Sequence, residues 1–267
     1  MDPILSRRQL LAALPAAFLL RRGLAHAAEQ GRTVIAYKLD LSVLFNLISF
    51  SLTGTVAQEI DRRAGRYRVT MEGQGAGIST RTEATGFIRE GRFKPLESRS
   101  VHVFRGRQNT STTTYDYDRQ RVELHGVSHT LLLGRRRQVD DTMALPAGRQ
   151  VDDLISAQLN FAGNSLDRDS DGTYHTWVVR RAQADNEGPD DVSPDGYRAE
   201  LVPLRFRPSP DGPTGRLIAL VDITRFSSWA RPNQPARVTF GADRRLESVQ
   251  SALILGTTLS VQVTASA

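Results

Sequence analysis

Apolar and polar positions alternate with a period of two along most of this chain. Ile35, Tyr37, Leu39, Leu41 and Val43 alternate with Ala36, Lys38, Asp40 and Ser42, and Tyr67, Val69 and Met71 alternate with Arg66, Arg68 and Thr70. Val101 and Val103 follow the same pattern among Ser100, His102 and Phe104. Successive side chains of a strand point to opposite faces, so such alternation predicts half-buried antiparallel strands. Turn residues punctuate the strands at Arg63-Ala64-Gly65, Arg89-Glu90-Gly91, Asp118-Arg119-Gln120, Pro210-Asp211-Gly212-Pro213 and Gly241-Ala242-Asp243. The spacing predicts a mainly β protein of about a dozen strands, forming a curved antiparallel sheet or open β-barrel.

Residues 151–161 break the alternation. Val151, Leu154, Ile155, Ala157 and Leu159 have helical spacing, Asp152 or Asp153 can cap the first turn, and Gly163 and Asn164 can end the helix. One short helix lying on the sheet is expected there. Asp185 to Asp195 is polar, acidic and aperiodic, and is expected to be a mobile loop rather than a domain boundary.

The first 27 residues stand apart. Arg7-Arg8 precedes the apolar run Leu10 to Leu20, and Ala25-His26-Ala27 has the small-x-small form of a cleavage site. The run is about half of the roughly 20 apolar residues that a spanning helix needs. Arg21 and Arg22 behind it favour the twin-arginine route. Residues 1–27 are therefore read as a cleaved export signal and residues 28–267 as one mainly β domain, working in the periplasm. No transmembrane segment is expected in the mature part.

Composition narrows the chemistry. The chain has no cysteine, which excludes disulfides, thiolate metal sites, a cysteine nucleophile and a cysteine-linked acyl anchor. Of the formal charge of +6, the signal contributes +3 through Arg7, Arg8, Arg21 and Arg22 against Asp2. The one dense basic cluster, Arg135-Arg136-Arg137, has no interleaved aromatic residues and follows Leu131-Leu132-Leu133-Gly134. It reads as a solvated turn, and no nucleic-acid partner is expected.

Asp167-Arg168-Asp169-Ser170-Asp171-Gly172 resembles the opening of a calcium loop, with carboxylates Asp167, Asp169 and Asp171 at alternate positions before a glycine. The position for the closing bidentate glutamate is Val178, so a plain Asp-Gly turn is the favoured reading and no metal is expected. His125 and His129 are four apart, a spacing that pairs ligands on a helix, but their surroundings read as strand. Asp140-Asp141 and Asp152-Asp153 are neighbours in sequence and would point apart on a strand. No Gly-x-Ser-x-Gly elbow and no glycine-rich phosphate loop occurs, so no cofactor and no catalytic constellation is expected.

The order of several short motifs resembles the periplasmic domain of unknown function 3108 family. The motifs are Val34-Ile35-Ala36-Tyr37, Gly65-Arg66-Tyr67-Arg68-Val69, Thr85-Gly86-Phe87-Ile88, Gly91-Arg92-Phe93-Lys94-Pro95-Leu96-Glu97-Ser98, the Asp152-Asp153-Leu154-Ile155-Ser156 helix start, Gly241-Ala242-Asp243-Arg244-Arg245-Leu246 and Leu255-Gly256-Thr257. The proline usual after the Asp-Arg-Arg turn is absent near Glu247-Ser248, and the Asp185 to Asp195 loop is longer than the family pattern. The resemblance implies likeness to half-barrel proteins that shelter lipid or lipoprotein acyl chains. It supplies no catalytic residues.

The densest apolar run, Val43 to Phe50, exceeds the need of one buried face. The expected function is therefore non-enzymatic binding of an apolar or amphipathic envelope molecule, with Tyr37, Phe45, Phe50 and Met71 lining the pocket. Two rival readings are a ligand-free scaffold with an envelope protein partner and a hydrolase assembled from distant residues. A filled interior would favour the scaffold.

Overall fold

The computed structural model describes residues 30–43, 48–104, 106–130, 133–183, 187, 191–193, 196–210, 215–226, 230–231, 233–242, 244–253 and 257–264. The export signal and Phe45 lie outside these residues. Eight strands come first: β1 (Gln30–Val43), β2 (Ile48–Asp61), β3 (Arg66–Gly75), β4 (Ile78–Arg89), β5 (Arg92–Phe104), β6 (Arg107–Asp116), β7 (Arg121–His129) and β8 (Arg136–Ala144). A short strand β9 (Val151–Asp152) leads into the helix α1 (Leu154–Ala162). Then follow β10 (Asp167–Arg168), β11 (Tyr174–Arg181), β12 (Ala199–Pro210), β13 (Leu217–Val221), β14 (Ala236–Phe240), β15 (Leu246–Leu253) and β16 (Thr257–Thr264).

The strands form one open, curved sheet. β1 to β8 pair in sequence order, as do β10 to β16, and β16 pairs antiparallel with β1. Only the short β9 joins in parallel, beside β11. Sixteen strands replace the expected dozen, because several are short pieces whose alternation is too brief to register in sequence.

The sheet curls until β8 reaches the start of β12. Among the described residues the backbone contact there is an isolated bridge, Val139 to Tyr197, rather than a ladder. Side chains complete the seam: Asp141 Oδ2 accepts a 2.7 Å hydrogen bond from the Ala199 amide. The Arg137 guanidinium lies 3.3 Å from the Glu187 carboxylate, and Arg181 holds both Glu187 oxygens at 2.9 Å. The Glu187 side chain is only 3% exposed. The loop expected to be mobile thus carries a buried anchor, and Arg137 belongs to the seam rather than to a solvated turn.

Curvature has a local cause. Tyr37 on β1 faces Gly54 on β2, which in turn faces Gly73 on β3, and the Tyr37 ring lies across both glycines. A Cβ on Gly54 would sit 2.0 Å from the Glu72 carbonyl oxygen, and one on Gly86 would sit 2.1 Å from that of Lys94. Glycine lets the backbones approach this closely, and an aromatic ring covers the gap.

The inner face carries two apolar clusters. The larger joins the β1–β3 residues Leu39, Leu41, Val56 and Met71 to Leu204, Phe206, Val238 and Phe240 from the later strands. The smaller, with Tyr115, Val122, Leu124, Val139 and Tyr197, seals the seam. The helix α1 lies on the sheet as expected, on its inner face against β5, β9 and β11. Residues Ile155 to Phe161 are buried without a break, and Phe161 stacks on Phe206 at a centroid distance of 4.6 Å. A helix buried on all sides has no polar face to present to water, and its polar residues need partners inside.

Candidate functional site

Those partners form a buried polar network. Asp152 accepts hydrogen bonds from Arg92 Nη2 at 2.6 Å, Thr176 Oγ1 at 2.7 Å and Asn160 Nδ2 at 3.2 Å. Arg92 also donates to the Ser165 carbonyl at 2.6 Å. The Asn160 amide docks on the Phe93 backbone as a strand would, donating to its carbonyl and accepting from its amide, both at 2.8 Å. Asp153 is the N-cap: its Oδ1 accepts from the Ile155 and Ser156 amides, while the Ser156 hydroxyl receives the Asp153 amide.

Burial pushes the carboxyls of Asp152 and Asp153 up to about 6; Arg92 opposes the shift at Asp152, and the cap hydrogen bonds oppose it at Asp153. Burial likewise raises the nearby phenols of Tyr67, Tyr115 and Tyr117. The pair of aspartates is thus tied up by structure. Asp152 anchors α1 to β5 and β11, and Asp153 starts the helix.

The less buried part of the concave face lies elsewhere. Register and burial place side chains in rows running across the strands. One row begins with Ile35, Val56 and Met71 on β1–β3 and continues with Thr82, Ser100 and Ser111 on β4–β6. The next begins with Tyr37, crosses Gly54 and Gly73, and continues with Thr80, His102 and Asn109. The concave face therefore changes character at β4, from packed apolar residues to small hydroxyls, an imidazole and an amide. Ser98, Ser100, His102, Asn109 and Ser111 are only half-buried although they point inward.

Asn109 Oδ1 accepts the His129 amide at 2.8 Å, but two hydroxyls of this row have no partner. The Tyr37 hydroxyl lies over Gly73, whose cross-strand neighbour is Thr80, and neither that hydroxyl nor the Thr80 Oγ1 has a hydrogen-bond partner. Burial raises the Tyr37 phenol to about 12 and lowers the His102 imidazole below its ordinary value, so both are neutral at pH 7. Towards the rim, Phe50, Ile78 and Phe104 are partly buried on the same side. Inward-facing polar groups without partners, bordered by apolar rings, are suited to hydrogen-bonding an uncharged headgroup.

The sequence-predicted residues divide accordingly. Tyr37, 2% exposed, and Met71, 3% exposed, are packed in the large cluster rather than lining open space, although the Tyr37 hydroxyl reaches the polar row. Phe50 is half-buried at the rim. Thr80, Ser100, His102 and Asn109 were missed, because a row across strands appears only when register is known.

Asp167 and Arg168 form β10, and Asp169 to Gly172 form the turn after it. Asp171 Oδ1 accepts from the Thr173 amide at 2.9 Å, and Asp169 faces His175 at 3.1 Å. Asp140 points outward to His125 at 2.8 Å, while Asp141 points inward to the seam. His125 and His129 are four residues apart along β7, about 13 Å at strand rise. Among the described residues no group of three or more histidine or acidic side chains is placed to hold a metal.

No protein-family model matches the chain, and no curated protein matches it. Among solved structures it is similar to a β-barrel-like protein of domain of unknown function 1849 from Brucella abortus, with 12% identity and a TM-score of 0.41 over 86% of this chain and 94% of that one. A likeness at that level bears on neither site nor function.

Proposed function

We propose that this is an exported, non-enzymatic binding protein that holds an amphipathic cell-envelope molecule on its concave face. The observation that carries the reading is the inward-facing polar row Tyr37, Thr80, His102 and Asn109, in which the Tyr37 and Thr80 hydroxyls have no hydrogen-bond partner, beside the apolar rim of Phe50, Ile78 and Phe104. A packed scaffold would fill these positions with large apolar side chains. The two rows are filled mainly in that way on β1–β3, whereas on β4–β6 they carry Thr80, Thr82, Ser100, His102, Asn109 and Ser111. Export through the Arg7-Arg8 signal, a periplasmic location and kinship with the domain of unknown function 3108 family belong to the same proposal. They rest on sequence motifs.

The test is native mass spectrometry of protein purified from its own cells without detergent. A bound mass is expected, and Ser100→Phe, which fills the polar strip, is expected to abolish it without lowering the melting temperature. A bare polypeptide mass, together with failure to bind both a fluorescent fatty acid and a fluorescent monoacylglycerol, would replace this reading with the scaffold.

A further inference from the structure

We infer that the outer face of the sheet carries a second, separate site: a groove that takes the phosphate headgroup of an anionic lipid at a membrane surface. The groove has a volume of ≈750 Å³ and is walled by Arg32, Arg66, Arg68 and Arg89, with Phe87 and Leu96 alongside. Arg66 and Arg68 alternate with the buried Tyr67 on β3, and Phe87 and Arg89 alternate with the buried Gly86 on β4, so these side chains stand on the outer face.

The charge is not fully neutralised within the protein. Two carboxylates, Glu59 and Asp61, also line the groove. Glu59 faces Arg32 at 3.6 Å, Asp61 accepts the Ala64 amide at 2.8 Å, and Arg68 faces Glu83 at 3.2 Å. Arg66 and Arg89 are left with no carboxylate partner among the described residues. The Arg89 guanidinium lies 4.6 Å over the Phe87 ring, which holds it in place without spending its charge. Two guanidinium groups lining an open groove match a phosphate, since each presents a fork of donors to its oxygens.

The apolar neighbours select the source of that phosphate. Leu96 is 44% exposed in the groove, and Val34 is 45% exposed two residues beyond Arg32 on the same face of β1. These are two of the three exposed large hydrophobic residues among the described ones. A soluble phosphate would use the arginines and leave the aliphatic side chains in water. A bilayer surface uses both, with guanidinium groups among the headgroups and aliphatic groups at the acyl boundary. The site lies on the opposite face from the polar row, so it stands or falls independently of the concave-face proposal.

The experiment is co-sedimentation of the full chain with phosphatidylcholine vesicles and with vesicles of phosphatidylcholine mixed with phosphatidylglycerol. Binding to the anionic vesicles alone is expected, and it should weaken as salt is raised. The double variant Arg66→Gln with Arg89→Gln is expected to weaken that binding by on the order of 25-fold, about fivefold for each arginine at an anionic surface. Both residues are exposed, so the melting temperature should hold. In amide hydrogen exchange, anionic vesicles should protect residues 66–68 and 85–89. Equal binding by the double variant, or protection elsewhere only, would overturn the site. Saturable binding of inorganic phosphate with no preference between vesicles would overturn the lipid as its source.

Discussion

At the scale of single residues, glycines carry the curvature. Gly54 and Gly31 lie on neighbouring strands, but their surroundings differ. A methyl group at Gly54 would meet backbone at 2.0 Å and the Tyr37 ring at 2.6 Å, whereas nothing lies within 4 Å of the same atom at Gly31. Gly54→Ala is expected to cost about 3 kcal/mol, the upper end of overpacking penalties, and Gly31→Ala close to nothing. Denaturant unfolding of the two variants checks the contrast, and equal costs would refute the close-approach account. This part of the fold was only half legible in the sequence. The alternation around Tyr37 announces a strand with a buried tyrosine. That the ring crosses two glycines, leaving its hydroxyl over Gly73, depends on register, which no single strand reveals.

The element that organises the interior is α1. Its start was legible, since Asp153, Ser156 and the apolar spacing form a cap that needs only local sequence. Its burial was not, because Arg92, which neutralises Asp152, lies sixty residues earlier in the chain. Arg92→Met should leave a buried carboxylate without its cation and cost about 3–5 kcal/mol. Adding Asp152→Asn should recover part of that loss. A single-variant cost below about 1 kcal/mol would mean that the pair contributes little. Asp153 supplies a pH dependence of its own. Its Oδ1 receives the cap amides, while its Oδ2 is buried without a partner and can carry a proton. A folded carboxyl at about 6, against about 3.9 unfolded, takes up protons on folding. Its contribution is fully present below about pH 4 and is lost as pH rises through about 6. The His102 imidazole, lowered by burial, works in the opposite direction on acidification. Asp153→Asn keeps the cap and removes the charge, so its stability advantage over the unmodified protein should grow from pH 5 to pH 7 in thermal melts. An advantage that does not change with pH would contradict the assignment.

For the whole molecule, β1 lies between β2 and β16, the second and last strands. Every other neighbouring pair along the sheet from β10 to β8 is also consecutive in the chain. The molecule is therefore a simple meander whose cut has been moved: opened at Gly148 and joined end to end, the same residues would keep every one of those pairings between consecutive strands. As the chain is actually connected, β1 is made first and its second partner last. One edge of β1 must wait, unpaired, for β16. Closing that gap is the longest-range step in assembling the sheet, and pairing so distant in sequence is expected to slow folding.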